Sequence, residues 1–321
     1  MADSLSITST YAGELASPYI KAAILSADSI ANNYVTTKEN VKKNIVLKKL
    51  TGTNIQAAAC DFNSSEDDFA LTEAILTPTE LMTNVQLCKK EFRQDWDAMQ
   101  TGNGFINDQI PPSFQDFLLL YLGERVSEAI ERNIWQGNFD ATDSSTSGVV
   151  TNFDGLLRKC VVGSASLGYN GTAAGAFTGD ANATTGIITH LDALVDNLPD
   201  AIQGDVNTKI FMSRKSLFLL QRAFASLGVA GGYSPQLGVD RPDAYLGFEI
   251  VVPAGFPNDT LIGGQSENFY FGTDTVSDFN QAVVVDMTPT DASDNVRIAM
   301  RYTGGVQIGF LGDVACVRRT S

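Results

Sequence analysis

His190 is the only histidine in the chain, and that single count removes most of the chemistry open to a protein of 321 residues. Serine or cysteine nucleophiles are usually activated by a neighbouring imidazole, and the commonest catalytic zinc sites draw on two or three histidines. His190 itself falls beside Leu191 on what helical spacing makes the polar side of a helix, which reads as a solvated or locally bonded ring. The run Glu66-Asp67-Asp68 has the residue types to hold a divalent cation or to act as an acid and base pair. No second polar cluster in the sequence suggests a pocket around it, so it reads as a hydrated acidic face. Neither Gly-x-Gly-x-x-Gly nor a phosphate loop is present, and Gly231-Gly232, Gly263-Gly264 and Gly304-Gly305 suit turns. Phe269-Tyr270-Phe271 has the composition of sheet core rather than of a platform for stacked bases. Cys60, Cys88, Cys160 and Cys316 lack paired spacing and are expected to be reduced, buried thiols. No catalytic residue, metal site or cofactor is expected, and an acidic carboxylate-dependent hydrolase is a remote alternative.

Composition narrows the classes further. With 44% hydrophobic residues and this length, the chain can bury a large core in about two domains. Its formal net charge of -15 lacks the basic face that reading nucleic acid requires, so any contact with DNA is non-specific. The opening Met1-Ala2-Asp3-Ser4-Leu5-Ser6 places an acid where an export signal would be basic. No apolar run approaches the roughly 18 residues needed to span a bilayer, and no membrane partner is expected.

The elements point to an α+β protein. Residues 1–40 read as an N-terminal arm followed by a short helix opened by Ser17-Pro18. Residues 41–88 read as an extended hairpin with strands at Ile45–Leu50 and Leu81–Lys89 as its legs. Its two basic feet are Lys42, Lys43, Lys48 and Lys49 on one side and Lys89, Lys90 and Arg93 on the other. Between them lies an acidic crown without lysine or arginine, carrying Asp61, Glu66, Asp67, Asp68, Glu73 and Glu80. An isolated two-stranded ribbon is marginal in water, so this one is expected to order against another copy of the chain. The crown of one copy is expected to dock near the cationic feet of the next, giving register more than affinity. Phe92, Trp96 and Met99 then mark a short helix.

The strongest periodicity follows. From Ser113 to Gly137 the residues Phe114, Phe117, Leu118, Tyr121, Leu122, Val126, Ala129, Ile130 and Ile134 keep one face, with Glu124, Ser127, Glu128, Glu131 and Arg132 on the wetter side. The small and polar stretch from Gly163 to Gly186 reads as a boundary loop. Ile188 to Leu198 and Leu217 to Leu227 read as helices, and strands are expected at Lys209–Ser213, Phe248–Val252, 260–262, Asn268–Phe271 and Ala282–Asp286. Val296 to Arg318 reads as strand, turning at Gly304-Gly305 and returning to the sheet beside the long helix.

Certain words occur in a telling order: Asn33-Tyr34-Val35-Thr36, Cys60-Asp61-Phe62, Leu71-Thr72-Glu73, Leu76-Thr77-Pro78-Thr79-Glu80-Leu81, Leu87-Cys88-Lys89-Lys90-Glu91-Phe92 with Asp95-Trp96, and Asn133-Ile134-Trp135. Phe153-Asp154-Gly155-Leu156, Gly247-Phe248-Glu249-Ile250-Val251-Val252-Pro253, Asn268-Phe269-Tyr270-Phe271-Gly272-Thr273-Asp274 and Val306-Gln307-Ile308-Gly309-Phe310 follow. In these words, over nearly its whole length, the chain resembles the major capsid proteins of tailed bacteriophages with the Hong Kong 97-type fold, most closely those of crAss-like phages.

That resemblance implies an N-terminal arm, an extended loop over 41–88, a peripheral domain over 89–180 and 287–321 with a spine helix at 113–137, and an axial domain over 181–286. It implies a non-enzymatic subunit of pentamers and hexamers in an icosahedral or prolate head around double-stranded DNA. Portal protein, and decoration or scaffolding proteins, are the partners it suggests. The location implied is the virion, assembled in the host bacterial cytoplasm. Some members of that fold weld neighbours through a lysine on the extended loop; the crown here has none, so noncovalent contacts are expected to hold the shell. The same fold serves encapsulins, which enclose protein cargo, and these form the principal alternative.

Overall fold

The computed structural model describes residues 27–51, 60, 70–88, 114–138, 152–163, 168–169, 177–180, 183, 185–226, 244–274, 281–287, 290, 292–293 and 295–318. The expected arm with its Ser17-Pro18 helix, the helix at Phe92–Met99, and Asp61, Glu66, Asp67, Asp68, Lys89, Lys90 and Arg93 lie outside them.

Two sheets share one long helix. Strand β12 (Asn295–Ile308) alternates Val296, Ile298, Met300 and Tyr302 inward with Arg297 and Arg301 outward, the period-2 pattern of a half-buried strand. It pairs antiparallel with β4 (Thr79–Cys88), with β11 (Gln281–Asp286) and, toward its end, with β10 (Phe269–Gly272). Parallel to β10 runs β1 (Thr36–Lys38), which follows the short helix α1 (Asp28–Ala31).

The second sheet has the order β5-β13-β9-β6-β8-β7, comprising β5 (Gly168–Tyr169), β6 (Thr208–Met212), β7 (Ala244–Tyr245), β8 (Phe248–Val251), β9 (Thr260–Gln265) and β13 (Val314–Arg318). Both faces are covered, and consecutive residues serve different cores. Phe211, Ile262, Val314 and Cys316 join the core beneath the long helix α2 (Phe114–Gln136). Ile210, Met212, Leu261, Ala315 and Val317 join a second core with α4 (Ile187–Asp196) and α6 (Arg214–Ser226). The short helices α3 (Leu156–Gly163) and α5 (Asp200–Gln203) add Leu156, Leu157 and Cys160 to the first core and Ile202 to the second.

The α+β class, the long helix and the expected strands and helices between 187 and 286 follow the sequence expectations. Phe269 and Phe271 are fully buried sheet core, as their composition indicated. The hairpin does not. Ile45–Thr51 (β2) pairs with Ala70–Leu76 (β3), in register Ile45 to Leu76 and Leu50 to Leu71. The expected second leg is β4, whose partner is β12 along ten residue pairs. The ribbon is therefore β2 with β3, and Thr77-Pro78 turns the chain back into the main sheet.

Gly304-Gly305 is not a turn, because β12 runs straight through it. A Cβ on Gly305 would stand 2.5 Å from the Thr77 carbonyl oxygen, so glycine there lets the strand pass against the Thr77-Pro78 turn. The final segment also divides: β12 returns to the sheet near α2, whereas β13 inserts beside β9 in the other sheet. Conversely β10 and β11, which precede Asp286, build the sheet of β12. The chain thus crosses between the two sheets more than once. Phe177, in the stretch expected to be a coreless loop, is buried in the second core.

Candidate functional site

The ribbon has two unlike faces because side chains alternate along each strand. On one, Lys49 reaches the body of its own chain, its Nζ 2.7 Å from Asp313 Oδ2 and 4.5 Å above the Phe310 ring. At the root, Leu76 is fully buried. The opposite face carries Val46, Lys48 and Leu50 from β2 against Ile75, Glu73 and Leu71 from β3. Lys48 and Glu73 pair at 3.4 Å. Around that ion pair stand four large apolar side chains, with Leu50 61%, Leu71 53%, Ile75 51% and Val46 43% exposed. Two cross-strand apolar pairs left exposed on one face of the ribbon form a contact surface without an occupant among the described residues.

This reassigns several expected contact residues. Lys48 and Glu73, from foot and crown, bond each other, and Lys49 is held by Asp313. Lys42 and Lys43 are exposed. The charge pattern alone does not reveal the aliphatic face; the alternation of Val46, Lys48 and Leu50 is its signal in the sequence.

A second constellation joins the segment after the N-terminal region to α2. Glu131, expected on the wet side, is 4% exposed. Its Oε2 accepts the Ser29 backbone N–H at 2.9 Å, and its Oε1 accepts the Ser29 hydroxyl at 2.6 Å and the Trp135 indole N–H at 3.1 Å. Burial pushes the Glu131 carboxyl above its usual range; the donors from Ser29 and Trp135 pull it back, and Asp28 nearby raises it again. Next to this network Asp28 Oδ2 accepts the Ala254 N–H at 3.0 Å, and Gln136 donates to the Gly255 carbonyl at 2.7 Å. The three donors convert a costly buried carboxylate into a clasp between elements 102 residues apart.

His190 is also buried, 1% exposed, with its ring stacked on Phe177 at 4.6 Å between centroids. The polar-side expectation fails because Phe177 arrives from outside the helix to cover it. Burial lowers the imidazole pKa from its ordinary 6.5, so the neutral ring is the folded form. Its contribution to stability is present above 6.5 and is lost as pH falls through the lowered value. As the sole histidine is the source of all imidazole C–H resonances in proton NMR, their titration midpoint is expected below 6.5, and replacement by glutamine is expected to flatten the acid limb of thermal stability.

Two clefts flank these elements. One of about 390 Å³ is lined by Asp28, Glu124, Glu128, Glu131 and Arg132, and the other, about 350 Å³, by Thr79, Asn138, Asp154 and Lys159. In the first, Glu128 pairs with Arg125 at 3.1 Å and Arg132 at 3.5 Å; in the second, Lys159 stands 3.6 Å from Asp154. Glu128 and Asp154 thus serve as ion-pair partners. Among the described residues no group of three or more His, Cys, Asp or Glu is placed to hold a metal ion, and no helix is long and apolar enough to cross a membrane. Cys160 and Cys316 are buried as expected, but Cys60 is exposed and Cys88 half-buried; all four are free thiols.

Solved structures share this architecture nearly end to end. A chain of the satellite phage P4 procapsid including size determination (Sid) protein is 12% identical, with TM-score 0.59 over 95% of this chain and 99% of that one. The capsid of the native GTA particle matches with 12% identity and TM-score 0.56 over 93% and 90%. The fold is that of capsid chains. Gordonia phage Cozz gives 10% identity and TM-score 0.56 over 92% and 87%. No protein-family model and no curated protein matches the sequence.

Proposed function

We propose that this chain is the major capsid subunit of a tailed bacteriophage, with the Hong Kong 97-type fold. The observation that carries the reading is the β2–β3 ribbon, fixed to its own body on one face and presenting Val46, Leu50, Leu71 and Ile75 to water on the other. Such a surface suits a neighbouring subunit, and the capsid fold supplies the setting. In this reading the N-terminal arm lies within 1–40, the extended loop is the β2–β3 ribbon rather than the whole of 41–88, α2 is the spine of a peripheral domain that takes in β4, β10, β11 and β12, and β5 to β9 with β13, α4 and α6 form the axial domain. The subunits form the pentamers and hexamers of an icosahedral or prolate head around double-stranded DNA. With a net charge of -15, the inner contacts to DNA are non-specific. Portal protein, and decoration or scaffolding proteins, complete the particle, which assembles in the host cytoplasm and ends in the virion. Kinship with crAss-like phages rests on the order of sequence words alone.

Electron microscopy of the expressed full chain tests the proposal. Closed particles of uniform curvature are expected, with nucleic acid inside those purified from infected cells. Single subunits at every ionic strength and concentration tried would end the reading, and particles filled with a protein cargo would replace it with a nanocompartment.

A further inference from the structure

Two helices of the second core carry charges at ends where their own dipoles disfavour them. A helix favours acids at its N-terminus and bases at its C-terminus. Here Arg214-Lys215 opens α6 with no acid in the first turn, and Asp196 closes α4 with no base in the last. The imbalance runs through both segments. In a chain of net charge -15, α6 holds Arg214, Lys215 and Arg222 and no acid. From 187 to 206 the sequence holds Asp192, Asp196, Asp200 and Asp205, all exposed, and no lysine or arginine.

Helical spacing gathers each group into one patch. Arg214, Phe218 and Arg222 recur every four residues and are all exposed, so they form a single stripe about 12 Å long. Arg222 lays its stem over Gly179, where a Cβ would stand 2.8 Å from the arginine Cδ. Phe218, 57% exposed, gives the stripe an apolar centre. Asp192 and Asp196 share one side of α4 by the same spacing, and Asp200 opens α5 four residues on. The helix α4 lies against β9 and β13, whereas α6 reaches β7, where Phe224 stands 6.4 Å from Tyr245 between ring centroids. Within the chain the two patches do not neutralise each other. Among the described residues no ion pair joins these aspartates to α6, and Lys215 stands 3.6 Å from Asp259 instead.

We infer that the Arg214–Phe218–Arg222 face of one copy docks on the Asp196 and Asp200 acids of the next, a head-to-tail contact between unlike surfaces. This rests on the shell-subunit reading above. Unlike surfaces joined by a rotation repeat from copy to copy until a ring closes, and opposed charges fix the register of each joint. The partner is a second copy because the complementary surface is present on this chain, and because Arg214 and Asp196 sit at helix ends that their own subunit would hold better without them. Local rules are broken in this way where a function requires the residue. Two arginines are also too few for a phosphate backbone, which calls for a broad basic face.

The test is charge exchange at exposed positions of the full chain, leaving Asp192, which accepts the Tyr245 hydroxyl, intact. Arg214→Glu with Arg222→Glu, and separately Asp196→Lys with Asp200→Lys, are each expected to raise the concentration at which particles form about tenfold or more. All four changes together restore the opposition with its sense inverted, and assembly is expected to return to within about threefold of the parent. Arg214→Glu and Asp196→Lys suit their helix dipoles, so the thermal midpoint of the unassembled chain is expected to hold or rise. The four-fold variant also recovers the parent's net charge. Its control is Arg214→Glu and Arg222→Glu with Glu124→Lys and Glu267→Lys, exposed positions outside both patches, and this variant is expected to stay impaired. A four-fold variant that assembles no better than the base-reversed chain would overturn the inference while leaving the shell reading intact, as would equal recovery in the control. So would a base-reversed chain that assembles at the parent's concentration, with or without the loss of packaged nucleic acid that a phosphate contact would show. Failure of the parent chain to form particles at all would instead remove the shell reading, and this inference with it.

Discussion

Truncating Trp135 to alanine is expected to remove about 4 kcal/mol of subunit stability, measured by urea unfolding of the unassembled chain. The indole is fully buried at the C-terminal end of α2. It meets Phe211 of β6 at 5.1 Å, Phe256 at 5.2 Å and Phe269 of β10 at 6.4 Å between ring centroids. One side chain thus packs both sheets against the long helix, and a cavity there cannot close without moving all three. Its N–H is bound as well, 2.7 Å from the Ser29 hydroxyl oxygen and 3.1 Å from Glu131 Oε1. Trp135→Phe separates the two contributions. It retains most of the ring packing and loses only the donor, leaving Glu131 with the two Ser29 bonds, at a cost of about 1–2 kcal/mol. Total stability for a domain is on the order of 5–15 kcal/mol, so the alanine variant gives up a large share. Equal losses in the two variants would show that the hydrogen bond rather than the aromatic packing dominates, and a loss below about 2 kcal/mol in Trp135→Ala would refute the central role of the ring.

What the sequence made legible was whatever depends on near neighbours. The i, i+4 spacing of Leu122, Val126, Ile130 and Ile134 defines the core stripe of α2, and all four are buried. Pro199 follows α4 closely, and alternation places Val296, Ile298, Met300 and Tyr302 inward. Periodicity gives a face but no partner, which is why β4 was joined to the wrong strand: its true neighbour β12 is more than two hundred residues away, as the bond from Arg297 to Gln86 records. Strand β3 is masked in the sequence by Glu73, which by charge belongs to the acidic crown, although Leu71, Glu73 and Ile75 alternate with Thr72, Ala74 and Leu76. Glu131 and His190 were placed outward on polarity, and both lie inward because a distant segment supplies the cover: Ser29 for one, Phe177 for the other. The contact site was half visible. The projecting segment could be read from its charge pattern, but its aliphatic face appears only once the register sets Val46 opposite Ile75 and Leu50 opposite Leu71.

That register permits a substitution which separates contact from fold. Leu50 and Leu71 are direct cross-strand partners on the exposed face. Replacing them together, Leu50→Glu with Leu71→Lys, exchanges an apolar pair for an opposite-charge pair that the ribbon geometry accepts. Two sites at 61% and 53% exposure carry little of the subunit's own core, so its unfolding free energy is expected to stay within about 0.5 kcal/mol of the parent. Net charge is unchanged as well, since the new acid and base cancel, and long-range repulsion between copies is the same. Burying each leucine against a neighbour contributes about 1.5–3 kcal/mol. Losing both is expected to raise the concentration needed for particle formation by roughly two to four orders of magnitude. Sedimentation velocity and electron microscopy would read this as capsomers or free subunits where the parent gives shells. Leu50→Met with Leu71→Met keeps the face apolar and is expected to assemble normally. Shells from the charged pair at the parent's concentration would mean that the ribbon face stays wet in the lattice, and that subunits are held together elsewhere.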